Sequence, residues 1–385
     1  MSVGKPVVPG KTGKKKRPVL YAALFILTVA ALFYISIAQV LGRAPGLERL
    51  FEPPPVPYIE AEEFNFNVGR NRVFADMRGA VAAAGSMGVQ VFDALGYETL
   101  SELYLMNFPA ISSNNGRAVA FDIGGDAVRV FNKTEILAEV DTVGSIVSAS
   151  INRNGWFAVS TQEGFAVRGV VTVFDNSGAE RFRFYSAEGY VLSAEISPDN
   201  RNMAVLRLTE TGSQVVFFDL SITDPIRTLD FPSEILLQIR YTDAGNIAAI
   251  STQAILSVSP AGSIDEIFSF GRSGLGSYFM DDDMFIVHLL YFGVGYSGSI
   301  IAIAPDGTVI GSKATERGVA AISSSGGNIA VLWSDGPAFY TGDFVEIPHF
   351  DAALPLAGVG HLLALGNGVA LAGSDHTAIV VRTIH

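Results

Sequence analysis

The stretch AEGYVLSAEISPDNRNMAVL, residues 187–206, alternates apolar and polar residues, breaks at Ser-Pro-Asp-Asn and resumes as an apolar run. This order is typical of two adjacent β-strands joined by a tight turn. Pro198 and Asp199 suit the turn, because proline presets φ and aspartate hydrogen-bonds nearby backbone. Glu195 and Asp199 taken alone are candidates for acid–base chemistry. Similar turns recur along the chain, however, so the stretch is better evidence for the fold than for a site.

The same pattern repeats from about residue 64 to the end of the chain, with units spaced about 35 to 45 residues apart. Each unit has a first strand, a polar turn, an apolar second strand, a third strand resembling VxVFD and a fourth strand. The second strands are AVAAA (80–84), AVAF (118–121), WFAVS (156–160), NMAVL (202–206), NIAAIS (246–251), MFIVHL (284–289), NIAVLW (328–333) and GVALA (368–372). Short apolar strands at this spacing, separated by Asn/Asp/Gly turns, predict an all-β fold, a β-propeller.

The number of repeats predicts eight blades. The last unit reaches His385 directly after its third strand and therefore lacks a fourth. The segment EEFNFNVG (62–69) alternates apolar and polar residues, and we expect it to fill this gap with a strand near Phe64–Val68. Such pairing closes the ring and removes exposed sheet edges. Seven blades remain an alternative, because the unit at 275–318 is irregular.

The composition agrees with a turn-rich β protein and excludes several kinds of function. The chain has 49% hydrophobic residues, 40 glycines and no cysteine. Without cysteine, disulfides, thiolate catalysis and Cys-ligated metal sites are excluded. Residues 1–17 carry +6 of the net charge of −12, so the remainder carries −18. An acidic body of this kind repels phosphate backbones, and we expect no nucleic-acid partner.

Residues 18–41, PVLYAALFILTVAALFYISIAQVL, contain no charged residue and are long enough for a transmembrane helix. The KKKR cluster at 14–17 predicts a cytoplasmic N-terminus by the positive-inside rule. The partner of this segment, Pro18 to Leu41, is then the cytoplasmic membrane, and everything after it lies outside the cytoplasm. A cleaved signal peptide is the alternative, although the apolar run exceeds the usual length of such peptides.

A proline-rich spacer, residues 42–63, follows the predicted helix. Its prolines favour extended polyproline II geometry, which would hold a domain away from the membrane. The predicted organisation is therefore a basic cytoplasmic tail (1–17), a transmembrane helix (18–41), the spacer (42–63) and a propeller (64–385).

No catalytic, cofactor-binding or metal-binding residue is predicted. The Asp281–Asp283 triplet resembles a cation site, but it falls where other units have their turn between first and second strands. The histidines lack metal-ligand spacing, and His288 lies in an apolar strand, where a core position is expected. GVGYSG (293–298) matches G-x-G-x-x-G but is flanked by strands on both sides, which predicts a hairpin rather than a nucleotide site.

Propellers bind at the mouth of the central channel or through the loops of one face, so the polar turns are the predicted partner-facing positions. The residues are Asn114, Asn115, Arg117, Asn154, Asp199, Asn200, Asp243, Asp281, Asp282 and Asp283.

Two stretches also carry a family resemblance: VTVFDNSGAERFRFYSAEGYVLSAEISPDNRNMAVL (171–206) and ILLQIRYTDAGNIAAIS (235–251). With the order of basic cluster, transmembrane segment, proline-rich spacer and propeller, the chain resembles domain-of-unknown-function family 5711, the uncharacterised membrane-anchored propellers of Clostridia and relatives, which are WD40-like and TolB-like. The resemblance implies a fold and a topology. It implies no activity and transfers no catalytic residue.

Three functions follow as hypotheses. The first is a binding or scaffolding module outside the cytoplasm, with a cell-envelope protein or a glycan as partner and no cofactor. The second is a propeller-type enzyme, a polysaccharide hydrolase or lyase, which would need convergent carboxylates in the central channel. The third is a sensor or assembly factor, which would need a membrane partner because the cytoplasmic tail is short.

Overall fold

The computed structural model describes residues 58–164, 167–291, 297–347, 359–366, 369–374 and 376–384. Tyr58–His385 forms one compact unit, whose described elements are all β-strands. In these ranges there is no helix with the length and apolar character needed to cross a membrane. The predicted tail, transmembrane helix and most of the spacer fall in residues 1–57, outside the described residues, as does most of the GVGYSG segment.

The strands fall into four positions of a repeating unit. The first strands are β2 (Val73–Asp76), β6 (Pro109–Asn114), β10 (Ser145–Ile151), β14 (Tyr190–Ile196), β18 (Leu236–Tyr241), β22 (Gly274–Met280), β26 (Val319–Ser325) and β30 (His361–Leu365). The second strands are β3 (Val81–Gly85), β7 (Arg117–Asp122), β11 (Phe157–Gln162), β15 (Asn202–Leu208), β19 (Ile247–Ser251), β23 (Phe285–Leu290), β27 (Asn328–Trp333) and β31 (Val369–Gly373). The third strands are β4 (Gly88–Phe92), β8 (Ala127–Phe131), β12 (Gly169–Phe174), β16 (Gly212–Asp219), β20 (Ala254–Val258), β24 (Gly298–Ile303), β28 (Gly336–Thr341) and β32 (Thr377–Ile384). The fourth strands are β5 (Glu98–Leu103), β9 (Ile136–Asp141), β13 (Glu180–Ser186), β17 (Arg227–Pro232), β21 (Ile264–Ser269), β25 (Val309–Thr315), β29 (Glu346–Ile347) and β1 (Tyr58–Asn65).

Within the described residues these strands form eight four-stranded antiparallel sheets. Each sheet is a blade, and the blades are numbered along the chain: blade 1 (β2–β5), blade 2 (β6–β9), blade 3 (β10–β13), blade 4 (β14–β17), blade 5 (β18–β21), blade 6 (β22–β25), blade 7 (β26–β29) and blade 8 (β30–β32 with β1). The predicted all-β propeller is confirmed. The irregular unit at 275–318 was the reason why seven blades had remained an alternative. In the structure this unit forms a complete sheet, blade 6.

The blades form a ring because each one buries its faces against its neighbours. First strands of successive blades contact each other at most of the junctions, and β30 of blade 8 contacts β2 of blade 1. Apolar clusters fill the gaps between blades; Val205 and Phe218 of blade 4, for example, pack with Val171 of blade 3. Second strands lie between two packed faces, which explains why they read as continuous apolar runs. In β19 all five residues are buried.

The ring is closed by strand β1, which supplies the missing fourth strand of blade 8. It pairs antiparallel with β32, from Tyr58 opposite Ile384 to Asn65 opposite Thr377. The predicted closure is confirmed, but the strand begins at Tyr58, so the last residues of the predicted 42–63 spacer belong to the blade. The physical reason is that β32 is eight residues long, and its outer edge needs a partner along that whole length.

Candidate functional site at the channel mouth

The turns between first and second strands all lie on one face of the ring. Antiparallel strands alternate in direction, so turns from first to second and from third to fourth strands share a face, which we call the channel-mouth face. Connections from second to third and from fourth to first strands lie on the opposite side, the far face. First strands surround the axis, so their terminal turns encircle the central channel at its mouth.

A cavity of about 620 Å³ occupies this mouth. Its charged and polar lining consists of the carboxylates Asp76, Asp281, Asp282 and Asp283, the guanidinium groups of Arg78 and Arg240, and the hydroxyls and amides of Ser112, Ser113, Asn114, Asn115, Ser324 and Ser325. Its apolar part includes Phe74, Ile111, Phe279 and Leu363. These residues come from blades 1, 2, 5, 6, 7 and 8, so only the closed ring assembles the site.

Hydrogen bonds within each turn fix its backbone. In blade 4, Asp199 Oδ1 accepts hydrogen bonds from Ser197 Oγ at 2.6 Å and from the Arg201 amide at 3.1 Å. The Ser197 bond is the largest cause that holds the pKa of Asp199 below its usual range. Asn200 adopts a positive φ of 61°, a conformation that asparagine tolerates better than most residues. Asp199 is thereby a turn residue, as the pattern predicts.

Hydrogen bonds between turns then join neighbouring blades. Asn115 Nδ2 of blade 2 donates to the carbonyl of Arg153 in blade 3 at 3.1 Å. Asn152 Nδ2 of blade 3 donates to Asn200 Oδ1 of blade 4 at 2.6 Å, and Asn154 Nδ2 donates to the Pro198 carbonyl at 2.6 Å.

The chain of contacts continues through charged groups. Arg153 forms an ion pair with Asp243 of blade 5. Arg240 of blade 5 donates from Nε and Nη2 to Asp282 Oδ1 of blade 6, at 2.9 and 2.8 Å. Ser324 of blade 7 donates to Asp281. Blades 2 to 7 are therefore connected at the mouth by side chains of their first-to-second turns and strand ends.

Glu195 lies beside this cavity with an altered pKa. It lines a small recess together with Asn114, Arg240, Tyr241 and Asp282, of which Asn114, Arg240 and Asp282 also line the main cavity. Burial raises the pKa of Glu195 from its usual 4.5 to about 7; Arg240 lowers it and Asp282 raises it further. Near neutral pH this carboxyl exchanges its proton, which is the property required of a general acid or base.

Asp281 is a second carboxyl at the mouth whose pKa is altered. Burial raises it, although the hydrogen bonds from Ser324, Met284 and Asp283 act in the opposite direction. The Asp281 side chain accepts the amides of Asp283 and Met284 at 2.8 and 2.7 Å, so the triplet forms the predicted turn.

Residues 60–340 match the profile of a family of unknown function, DUF5711. The chain belongs to the DUF5711 family. None of the curated protein sequences matches it.

Solved structures share the propeller fold with this DUF5711 chain at low sequence identity. BamB from Moraxella catarrhalis has a TM-score of 0.51 at 17% identity, covering 84% of this chain and 100% of its own. Sqt1 from Saccharomyces cerevisiae has a TM-score of 0.54 at 12% identity, covering 83% and 98%. Apo AztD from Citrobacter koseri has a TM-score of 0.50 at 13% identity, covering 74% and 86%. At these identities the likeness concerns the fold alone.

The ten residues predicted to face a partner all lie on the channel-mouth face, but the structure separates them into two groups. The residues that line the cavity are Asn114, Asn115, Asp281, Asp282 and Asp283. The residues that lie outside its lining are Arg117, Asn154, Asp199, Asn200 and Asp243, of which Asn154, Asn200 and Asp243 hold neighbouring turns. A partner-facing role remains a prediction for both groups.

The repeat pattern did not indicate that Arg240, Asp76, Ser324 and Ser325 belong to the site. It favoured a structural role over an acid–base role for the stretch that contains Glu195. A signal for Glu195 and Arg240 was present. Ser150, Glu195 and Arg240 occupy the same position in three successive first strands, and each lies opposite an alanine of the second strand. A polar residue repeated at one position beside small residues indicates that the side chain needs polar surroundings there.

Two further side chains of this DUF5711 chain, those of His288 and Trp333, have structural positions. His288 is buried in β23, and burial lowers its pKa, as expected for a core histidine. Its Nε2 lies 3.5 Å from Thr315 Oγ1. Trp333 is buried, and its Nε1 donates to Tyr340 Oη at 3.3 Å. In the described part of the chain, no three His, Cys, Asp or Glu side chains are grouped as a metal ion would require.

Proposed function

We propose that this chain is a binding or scaffolding propeller, anchored in the cytoplasmic membrane by residues 18–41 and exposed outside the cytoplasm. Its channel-mouth face binds a cell-envelope protein or a glycan. The proposal combines the anchor and basic flank of the sequence with the polar cavity at the ring centre. Family membership and the likeness to other propellers support the fold on which it rests.

One observation carries the proposal: the polar cavity is held in shape before any partner arrives. Its turns are fixed internally, by bonds such as that from the Asp283 amide to Asp281, and laterally, by bonds such as those from Arg240 to Asp282. A rigid site loses less conformational entropy on binding than one that must become ordered. Its hydroxyls, amides and carboxylates suit the hydroxyl-rich surface of a glycan or the polar surface of a protein.

Site-specific photo-cross-linking tests this proposal in intact membranes. The photoreactive residue replaces Asn115, which lines the cavity, and a matched control replaces Asp126, which is exposed on the far face. We expect a discrete adduct from position 115 that is reduced by Asp283→Lys and is absent from position 126. Co-sedimentation of the full chain with cell-wall glycan distinguishes a glycan partner from a protein partner. Equal labelling from both positions, with no dependence on Asp283, would contradict the proposal.

A second candidate function, a polysaccharide hydrolase or lyase, is favoured by the acids at the mouth. Glu195, with a pKa of about 7, lies in a recess beside a cavity lined by Asp281, Asp282 and Asp283. An enzyme of this type needs one protonated and one ionised carboxyl near the scissile bond. Release of reducing ends from cell-wall polysaccharide by the full chain, abolished in Glu195→Gln but not in Glu188→Gln, would establish it. Unchanged release in Glu195→Gln would exclude this acid.

A further inference from the structure

The far face carries a patch of exposed apolar side chains on blades 1 and 2. We call it the far-face patch, and its members are Met87, Leu103, Leu105, Phe108, Ile123 and Val143. Leu105 is 84% exposed, Phe108 65% and Val143 89%. Single exposed apolar residues are ordinary, but a contiguous group marks an interaction surface.

Backbone hydrogen bonds join the connections that carry several members of the far-face patch. The Tyr104 amide, beside Leu105, donates to the Met87 carbonyl at 3.2 Å. The Ile123 amide donates to the Phe108 carbonyl at 2.9 Å. These bonds place the connection between blades 1 and 2 against the turns on either side of it.

A buried carboxylate holds this connection in place. Asp122 is 5% exposed, and its Oδ1 accepts the amides of Asn107 at 2.9 Å and Phe108 at 2.6 Å. Phe108 is therefore presented to solvent by a fixed backbone rather than by a loose loop. A fixed apolar surface is the expected form of a preorganised interface.

The charges around the patch are mostly acidic. Glu102 precedes Leu103, and Asp126 and Asp141 flank the connection that carries Val143, where the Thr142 amide donates to the Asp126 carbonyl at 2.8 Å. Arg129 is held by Glu139 and Asp141, at 3.4 and 3.6 Å. Arg70, beside Ser86, adds a positive charge at the Met87 edge, and Arg72 lies on the same connection.

We propose that the far-face patch binds a protein segment that presents large apolar side chains flanked by lysine or arginine. The apolar side chains contribute affinity, and the acidic rim selects the basic flanks. A second copy of the chain would bring two acidic rims together, and an anionic lipid surface would meet the same repulsion. This surface is separate from the channel mouth, so it goes beyond the proposed function and does not depend on it.

Designed peptides provide a defined probe for the full-length chain in nanodiscs of zwitterionic lipid. Two amphipathic peptides share their leucines and differ in carrying lysine or glutamate on the polar face, and a third carries the lysines without leucine. We expect the leucine–lysine peptide to bind roughly tenfold more tightly than either other peptide, by fluorescence anisotropy. The third peptide measures attraction to the acidic body in general.

Substitutions then assign the binding to the patch. Leu105→Ser with Phe108→Ser should weaken the leucine–lysine peptide roughly tenfold. Tyr97→Ser with Val345→Ser, which removes exposed apolar side chains from the channel-mouth face, should leave binding unchanged. All four side chains are exposed, so thermal unfolding should hardly change.

Five results would overturn the proposal, and four of them concern selectivity. These four are equal affinity for the lysine and glutamate peptides, equal loss in both sets of variants, dimerisation abolished by the patch substitutions, and patch-dependent binding to anionic vesicles. Absence of leucine–lysine peptide binding up to about 1 mM would also reject it.

Discussion

Ser325 Oγ of blade 7 donates a hydrogen bond of 2.6 Å to Asp76 Oδ2 of blade 1. The two residues are 249 positions apart in the chain, and blade 8 lies between their blades. This bond connects blades 7 and 1 at the channel mouth, on the side of the ring where the two ends of the propeller sequence meet. Asp76 also accepts the Gly79 amide at 3.3 Å, so its carboxylate holds both its own turn and the turn of blade 7.

Ser325→Ala should lower the free energy of unfolding by about 1 kcal/mol, because a partly buried hydrogen bond to a charged acceptor is lost. Urea unfolding followed by tryptophan fluorescence measures the change. Ser312→Ala, at an exposed serine of β25, should change it by less than about 0.5 kcal/mol. Equal effects of the two substitutions would show that the Ser325–Asp76 bond contributes no stability.

Phe64→Ala should destabilise the protein by about 3 kcal/mol, because it leaves a cavity in the strand that closes the ring. Phe64 is buried, and its ring centroid lies 4.5 Å from that of Phe92 in blade 1. Glu63→Ala, on the exposed side of β1, is the matched control and should have little effect. If Phe64→Ala unfolds like the control in urea, β1 does not close the ring in solution.

Glu195→Gln should flatten the dependence of stability on pH. Burial raises the pKa of Glu195 from 4.5 to about 7, with Arg240 and Asp282 as the facing charges. The folded state therefore holds this proton more tightly than the unfolded state, so stability falls as pH rises from about 4.5 to about 7. Urea unfolding at several pH values should show a smaller fall for Glu195→Gln, and higher stability than wild type above pH 7. The same pH profile in Glu195→Gln and Glu188→Gln would refute this assignment.

The changes that Arg240→Met and Asp282→Asn cause in the free energy of unfolding should be non-additive by about 1 kcal/mol. The reason is that each substitution removes one member of the same partly exposed ion pair. The side chains are 24% and 46% exposed. Unfolding free energies of the two single variants, the double variant and wild type give the coupling, which added salt should weaken. The more exposed Arg317–Asp335 pair should give a coupling closer to zero. A zero coupling for Arg240 and Asp282 would mean that their contact at the mouth is not maintained in solution.

Alkaline phosphatase fused after His385 should be active in cells, whereas the same enzyme fused after residue 10 should be inactive. The reason is that alkaline phosphatase needs disulfides, which form only outside the cytoplasm. The prediction follows from the basic cluster at 14–17 and the apolar run at 18–41. Activity restricted to the fusion after residue 10 would reverse the predicted orientation.

The strands could be predicted from the sequence because their pattern is local. NIAVLW was predicted as a second strand over 328–333, and β27 has the same bounds. The closure strand was predicted near Phe64–Val68 from its alternation, yet β1 runs over Tyr58–Asn65. Its bounds depend on the length of β32, at the other end of the propeller sequence, and no local pattern contains that information.

The candidate site was less predictable, because similar turns have different neighbours. Asp199 and Asp281 both stand in acidic turns after a first strand. Asp199 hydrogen-bonds within its own turn, whereas Asp281 also accepts Ser324 of the next blade and lines the cavity. The repeat pattern set Glu195 aside as a strand residue. Its pKa is raised by burial and by Asp282 of blade 6, against the opposing effect of Arg240 of blade 5.

The sequence by itself determined the repeat, the strand order, the turns and the propeller fold, because alternation and turn chemistry act between residues close in the chain. Only the tertiary structure decided that the opening motif SAEISPDN contributes Glu195 to a charged recess while Asp199 stays in its turn. It also decided which polar turns line the cavity and which apolar residues meet on the far face. These outcomes depend on side chains from different blades, which approach one another only when the ring closes.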